Sequence, residues 1–173
     1  GTSEKGLEIL YDDSRSYIQT LDAKDFPFIT RSDDLGYFEL EEGKLKDVIV
    51  KTVFCCASDD SRPILKGCLL ETDGEKLYAS ALDGFRMAVT ECEVKGGENA
   101  KIVCPARTLT EISRMLDGDD KTIRIGFSKN TLSVQIGDTL LMSRLYIGEF
   151  VKKANIHEPL PCGRSSYKHR PEE

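Results

Sequence analysis

The sequence predicts an α+β domain made of two pseudo-symmetric strand–helix–three-strand units, with both helices on one side of antiparallel sheets. Three observations carry that expectation. Helical stretches at 41–57 and 106–116 each follow a short apolar strand and precede three short segments of strand character. Asp73-Gly74, Asp83-Gly84, Asn130 and Gly137-Asp138 punctuate those segments where hairpins would turn. The same order of elements occurs twice, which predicts a two-fold rotation between the copies. The natural packing is one antiparallel sheet surface carrying both helices.

The elements can be justified in order. Residues 7–10 and 17–20 read as strands around the polar turn Asp12-Asp13-Ser14. Residues 37–40 open the first copy. In the helix that follows, Leu45, Val48, Ile49, Thr52, Val53 and Cys56 recur at helical spacing, so that stripe faces the sheet. Three extended segments come next, at 64–71, 76–81 and 85–93. Leu77 and Ala79 alternate with Tyr78 and Ser80. Asp73-Gly74 and Asp83-Gly84 read as two-residue turns, because glycine takes positive φ cheaply. The second copy opens at 101–104. Pro105 stands where a first-turn proline is tolerated. Leu109, Ile112 and Leu116 form the buried stripe, and Gly118 is a C-terminal stop. Strands follow at 122–127, 131–136 and 139–145.

Composition narrows the function. The chain has 173 residues, 39% of them hydrophobic, enough for one full domain plus a piece. No apolar run reaches the ~18 residues of a membrane span, so no membrane partner is expected. The six cysteines include no CxxC pair and no zinc-ligand spacing. Cys56, Cys68, Cys92 and Cys104 lie in apolar patterns and read as buried free thiols of a reducing cytoplasm. The two histidines, His157 and His169, fall in an aperiodic tail. No nucleophile triad, phosphate loop, dinucleotide loop or metal-ligand cluster stands out, so the expectation is a non-catalytic protein without cofactor or metal. Asp33-Asp34, Asp59-Asp60 and Asp119-Asp120 sit at helix ends and turns, where acidic residues cap and solubilise.

Two surfaces are candidates for binding. Residues 82–87 place Leu82, Phe85, Arg86 and Met87 around a turn that would ordinarily be polar. Lys44 and Lys51 lie seven residues apart on one helix, as do Arg107 and Arg114 on the other, both off the apolar stripes. By itself such a basic pair is an ordinary solvated face, diluted here by Asp47 and Glu111. The net charge of −6 has the wrong sign for tight binding to DNA, whose affinity comes largely from phosphate neutralisation.

Five motifs in one order nevertheless resemble the bacterial sliding clamp, the beta subunit of DNA polymerase III. They are Arg62-Pro63-Ile64-Leu65-Lys66-Gly67, Leu82-Asp83-Gly84-Phe85-Arg86-Met87-Ala88, Val103-Cys104-Pro105-Ala106-Arg107, Ser113-Arg114-Met115-Leu116-Asp117-Gly118, and Ser143-Arg144-Leu145 with Gly148-Glu149-Phe150. The resemblance runs from about Leu7 to Ile156. It implies a DNA clamp fold and a replication processivity factor that tethers polymerase to DNA, in the cytoplasm with the nucleoid. A closed head-to-tail ring dimer would hold double-stranded DNA by topology, so its inner surface need be only mildly basic. Lys44, Lys51, Arg107 and Arg114 would face that DNA. Leu65, Leu82, Gly84, Phe85, Arg86 and Met87 would form a groove for peptides of the polymerase III catalytic subunit, the clamp loader and other proteins with a clamp-binding motif. Leu82 stands where the family has Thr, and Phe85 where it has His or Tyr. The resemblance also implies three parts: residues 1–32 as closing strands and linker of a truncated first domain, 33–156 as the central domain, and 157–173 as an aberrant disordered tail. The third domain is missing from this reading. The other reading is a free-standing adaptor that keeps the fold and groove without encircling DNA.

Overall fold

The computed structural model describes residues 2–3, 6–25 and 36–150. The linker beyond Asp25, the pair Asp33-Asp34, Cys162, both histidines and the proposed tail lie outside these residues. The chain divides into two units, Gly1–Asp33 and Asp34–Glu173.

In the first unit, β1 (Thr2–Ser3), β2 (Gly6–Tyr11) and β3 (Ser14–Gln19) form an antiparallel sheet in that order. Tyr11 pairs with Ser14, so Asp12 and Asp13 alone make the turn. Asp12 takes φ 46°, a left-handed conformation that a short polar side chain tolerates. β3 is exposed along its whole length, and its polar start at Ser14 hid three residues of strand from a hydrophobic pattern.

The second unit contains the repeat. Its first copy is β4 (Gly36–Glu41), α1 (Glu42–Thr52), β5 (Gly67–Thr72), β6 (Lys76–Leu82) and β7 (Met87–Glu93). The short β8 (Gly96–Gly97) joins it to the second copy: β9 (Ala100–Pro105), α2 (Ala106–Met115), β10 (Thr122–Phe127), β11 (Thr131–Ile136) and β12 (Thr139–Arg144). The copies do not form one sheet each from their own strands. One sheet runs β12-β11-β10-β4-β8 and the other β7-β6-β5-β9, so each copy's first strand closes the other copy's sheet. Every pairing is antiparallel. The symmetry reaches single residues. Gly96 pairs with Glu39 after β7, and Tyr146 pairs with Val103 after β12, at the matching place on the exchanged strand.

The helices pack on each other and share one buried cluster with both sheets. Leu45, Val48 and Ile49 of α1 meet Leu109 and Ile112 of α2 in that cluster, with Leu116 just past the second helix. Each fully buried Leu, Ile, Val or Phe there is worth about 1.5–3 kcal/mol of transfer free energy. The helix ends serve one another. No side chain caps α1; its first N–H groups, at Glu42 and Gly43, donate to the carbonyls of Lys121 and Asp119 in the loop after α2. In return Lys46 Nζ donates to the carbonyl of Leu116 at 2.7 Å.

Four local expectations change. The first helix ends at Thr52 and continues as a 3-10 turn, Val53–Cys55. Tightening to three residues per turn brings Cys55 into the core and leaves Cys56 half-buried, the reverse of what a 3.6 period gives. The strand expected from 64 starts at Gly67, because Pro63 opens a 3-10 turn, Pro63–Lys66, that contains Leu65. Asp73-Gly74 and Asp83-Gly84 sit in four-residue loops, since Thr72 pairs with Leu77 and Leu82 with Met87. Pro105 ends β9 and stands before the first helical residue, with Gly67 as its partner.

Candidate functional site

The segment after α1 and the β6–β7 turn enclose a pocket of about 290 Å³. Its lining is Ala57, Asp59, Ser61, Arg62, Leu65, Asp83, Gly84 and Phe85. Each wall has a local cause. Asp59 Oδ1 accepts the N–H of Ser61 at 2.9 Å and also its hydroxyl, which bends the chain out of the 3-10 turn. Pro63 then forces the short turn that drives Leu65 inward, 4% exposed, where it packs with Leu69, Val103 and Phe150. Leu82, half-buried, packs against this second cluster from β6. The other wall is the loop 83–86. Gly84 takes φ 97°, a region that side-chain-bearing residues avoid, and nothing stands within 4 Å of where its Cβ would be.

The structure thus brings Leu65, Gly84 and Phe85 to one pocket and sets Leu82 beside its floor. Phe85 is 100% exposed, an aromatic ring with no packing of its own beside an apolar floor. Arg86 and Met87 do not line the pocket. Arg86 turns back, donating from Nε to Asp83 Oδ2 at 2.9 Å and from Nη2 to the carbonyl of Phe54 at 3.1 Å. Met87 opens β7 and is 46% exposed, so it is not core. Sequence reasoning missed Ala57, Asp59, Ser61, Arg62 and Asp83 as lining residues. The Asp-x-Ser spacing at Asp59 and the Asp that begins the second Asp-Gly pair were the available signals.

Hydrogen bonding shapes the charges here. The N–H groups of Phe85 and Arg86, then the Arg86 side chain, hold the Asp83 carboxyl below the usual range. The Ser61 hydroxyl and N–H do the same for Asp59. Asp60 pairs with Lys66 at 2.6 Å and Asp119 with Lys121 at 2.8 Å, so these acids have ordinary ionic roles. Among the described residues no group of three His, Cys, Asp or Glu could hold a metal ion.

The basic positions lie on the adjacent helices and are mostly paired. Lys44 Nζ lies 3.3 Å from Glu93 and 3.8 Å from Glu41, which raise its pKa. Lys51 pairs with Asp47 at 2.7 Å and Arg114 with Glu111 at 2.8 Å. Arg107 is exposed and has no ion-pair partner among the described residues.

Comparison with known proteins identifies the family. Residues 39–152 match the family model of the DNA polymerase III beta subunit, central domain. The chain is 35% identical over 140 residues to the beta sliding clamp of Escherichia coli K12, covering 79% of this chain and 38% of that protein. It is 31% identical over 138 residues to the beta sliding clamp of Haemophilus influenzae, with the same coverage of 79% and 38%. The crystal structure of the DNA polymerase III subunit beta from Pseudomonas aeruginosa superposes with a TM-score of 0.72 at 27% identity, over 87% of this chain and 42% of that one. The Bacillus subtilis sliding clamp, at 24% identity and a TM-score of 0.74 over 85% and 39%, has the same fold. The chain therefore spans about two fifths of the length of these relatives. Within that span it belongs to the DNA polymerase III beta subunit family, through the central domain of that protein.

Proposed function

We propose that this chain serves as part of a sliding clamp: a non-catalytic processivity factor that tethers a replicative polymerase to double-stranded DNA and docks partner peptides. The observation that carries the docking role is the pocket with Leu65 as its floor and an unpacked Phe85 at its rim. An apolar side chain seated there gains buried area, and covering Phe85 removes an exposed ring from water. Leu82 supports the floor, Gly84 leaves room for a peptide backbone, and Met87 extends the apolar surface along β7. Unused N–H donors of Arg86 can bond a peptide carbonyl or carboxylate.

Lys44, Lys51, Arg107 and Arg114 would face the duplex. Their acidic neighbours keep intrinsic affinity low, which suits a ring that holds DNA by enclosure and slides. The complete clamp would be a head-to-tail ring dimer in the cytoplasm with the nucleoid. Residues 1–32 would then derive from a first domain and 33–156 would be the central one. Polymerase III catalytic subunit, clamp loader and other proteins with the same short motif would be its partners.

An NMR titration with a short peptide ending in Leu-Phe tests the groove. Shifts should cluster at residues 57–65 and 82–87, with a dissociation constant between about 1 μM and 1 mM, or ~4–8 kcal/mol. Met87→Lys should fold normally, since the side chain is half-exposed, and should weaken binding. Absence of shifts at millimolar peptide would remove the docking role. Peptide binding without any ring in the full-length protein would favour the free-standing adaptor.

A further inference from the structure

The turn that forms the pocket wall occurs twice in this fold, once at each end of β6. At one end Asp73 Oδ1 accepts the N–H groups of Glu75 at 2.9 Å and Lys76 at 2.8 Å. At the other, Asp83 Oδ1 accepts those of Phe85 at 2.9 Å and Arg86 at 3.1 Å. The backbone closes alike, Asp73 N to Lys76 O at 3.4 Å and Asp83 N to Arg86 O at 3.3 Å. The last residue differs. Lys76 runs along the sheet to Glu91 at 2.7 Å. Arg86 instead spans from Asp83 Oδ2 to the carbonyl of Phe54. Phe54 lies in the 3-10 turn from which the opposite pocket wall, Ala57 to Arg62, departs. One guanidinium thus ties both walls together.

We propose that Asp83 is a positioning residue of the peptide groove: its carboxylate holds Arg86 as a strut between the 83–86 loop and the segment after α1, and so fixes the groove's width. The inference rests on the docking role proposed above. A solvated Arg side chain has many rotamers, and one bond to a carbonyl would not order it. The charge-assisted bond to Asp83 supplies the second anchor. Phe85 cannot supply it, being fully exposed. The twin turn serves as an internal comparison: it has the same Asp and the same backbone closure, but its last residue, Lys76, pairs with Glu91 along the sheet, and its residues do not line this pocket.

Three variants test this with a fluorescein-labelled peptide ending in Leu-Phe, read by anisotropy, and with amide NMR. Asp83→Asn keeps an oxygen for the two turn N–H groups and loses the charge. It should leave the amide shifts of 83–86 close to wild type, move those of 54–62, and weaken binding about three- to tenfold. Arg86→Gln should weaken binding too, and the double variant should lose no more than the worse single one. Asp83→Glu keeps the charge and disturbs the turn. It should bind better than Asp83→Asn, an order that a purely turn-forming Asp would reverse. Wild-type binding by Asp83→Asn, additive losses, or the reversed order would each overturn the strut while leaving the groove in place. No binding by the wild-type chain would overturn the groove reading, and the strut with it.

Discussion

Cys68 and Cys104 stand directly opposite each other on β5 and β9, and neither side chain reaches solvent. The Cys68 thiol points at Thr52 Oγ1, 3.7 Å away, while Thr52 itself donates to the carbonyl of Val48 at 2.7 Å. The two thiols are therefore part of the joint between helix and sheet. Burial pushes Cys68 up to about 11 and Cys104 further upward still.

Both should resist alkylation in the folded chain. A thiol held neutral and covered offers almost no thiolate at pH 8. Iodoacetamide footprinting should label Cys68 and Cys104 only at the rate of unfolding, with rapid labelling in urea. Half-buried Cys92, pushed up to about 11, should react slowly but ahead of them. Fast native labelling of Cys104 would show that β9 opens without global unfolding.

Acid should weaken the fold through its turns. The N–H groups of Lys76 and Glu75 hold Asp73 below the usual carboxylate range, and those of Phe85 and Arg86 hold Asp83 there. A depressed folded pKa stabilises above the unfolded value, and that contribution disappears as pH falls through the folded one. Urea midpoints should thus be flat near neutrality and drop below about pH 4. The Asp73→Asn, Asp83→Asn double variant should show a shallower acid limb, and an unchanged limb would contradict this account.

Gly97→Ala should be far worse than Gly96→Ala. Both residues have φ well above zero, 137° and 132°. A Cβ on Gly97 would also collide with the Tyr37 carbonyl and the Phe38 Cα, whereas one on Gly96 would meet nothing within 4 Å. The collision falls on backbone that cannot move without breaking the β4–β8 pairing. Chemical denaturation should show a loss of a few kcal/mol for Gly97→Ala, as for other strained backbone sites, and a smaller loss for Gly96→Ala.

Binding to linear duplex should be weak and shallow in its salt dependence. Four cations are proposed to face the duplex, so log K against log salt should be no steeper than about −4. Arg107→Gln should remove most of the residual low-salt binding, because its three companions are already paired with acids. Electrophoretic mobility shifts at graded salt will read this. Nanomolar affinity at ~150 mM salt would contradict holding by enclosure.

Much of the second copy was legible in the sequence. β10 and β11 begin and end where alternation and turn residues place them, and α2 where Leu109, Ile112 and the preceding proline place it. Side-chain period reports which face of a strand is buried, and that much was available. It says nothing about which neighbour the strand takes, so β4 and β9 could not be seen to change sheets. The end of α1 was hidden because a 3-10 turn shifts the period, and Cys55 and Cys56 exchanged places as a result. Leu65, Gly84 and Phe85 were found through motifs. Ala57, Asp59 and Ser61 lie in an aperiodic loop, and the span of Arg86 to the Phe54 carbonyl joins residues 32 apart in sequence, beyond the reach of any local pattern.

The crossing of β4 and β9 has a further consequence. Cut between Glu98 and Asn99, the polypeptide would yield two pieces, each with three consecutive strands lacking a border and a first strand severed from the sheet it borders, left with only the short pairing at Gly96–Gly97 or at Tyr146. Each piece would keep its helix on its own strands but lose the other helix from the shared cluster, and mixed together they would supply what the other lacks. A gene encoding only one such half would have to make a protein that exists in pairs, each molecule lending its first strand to its twin. The linker through Gly96 and Gly97 converts that mutual loan between molecules into an internal one, independent of concentration.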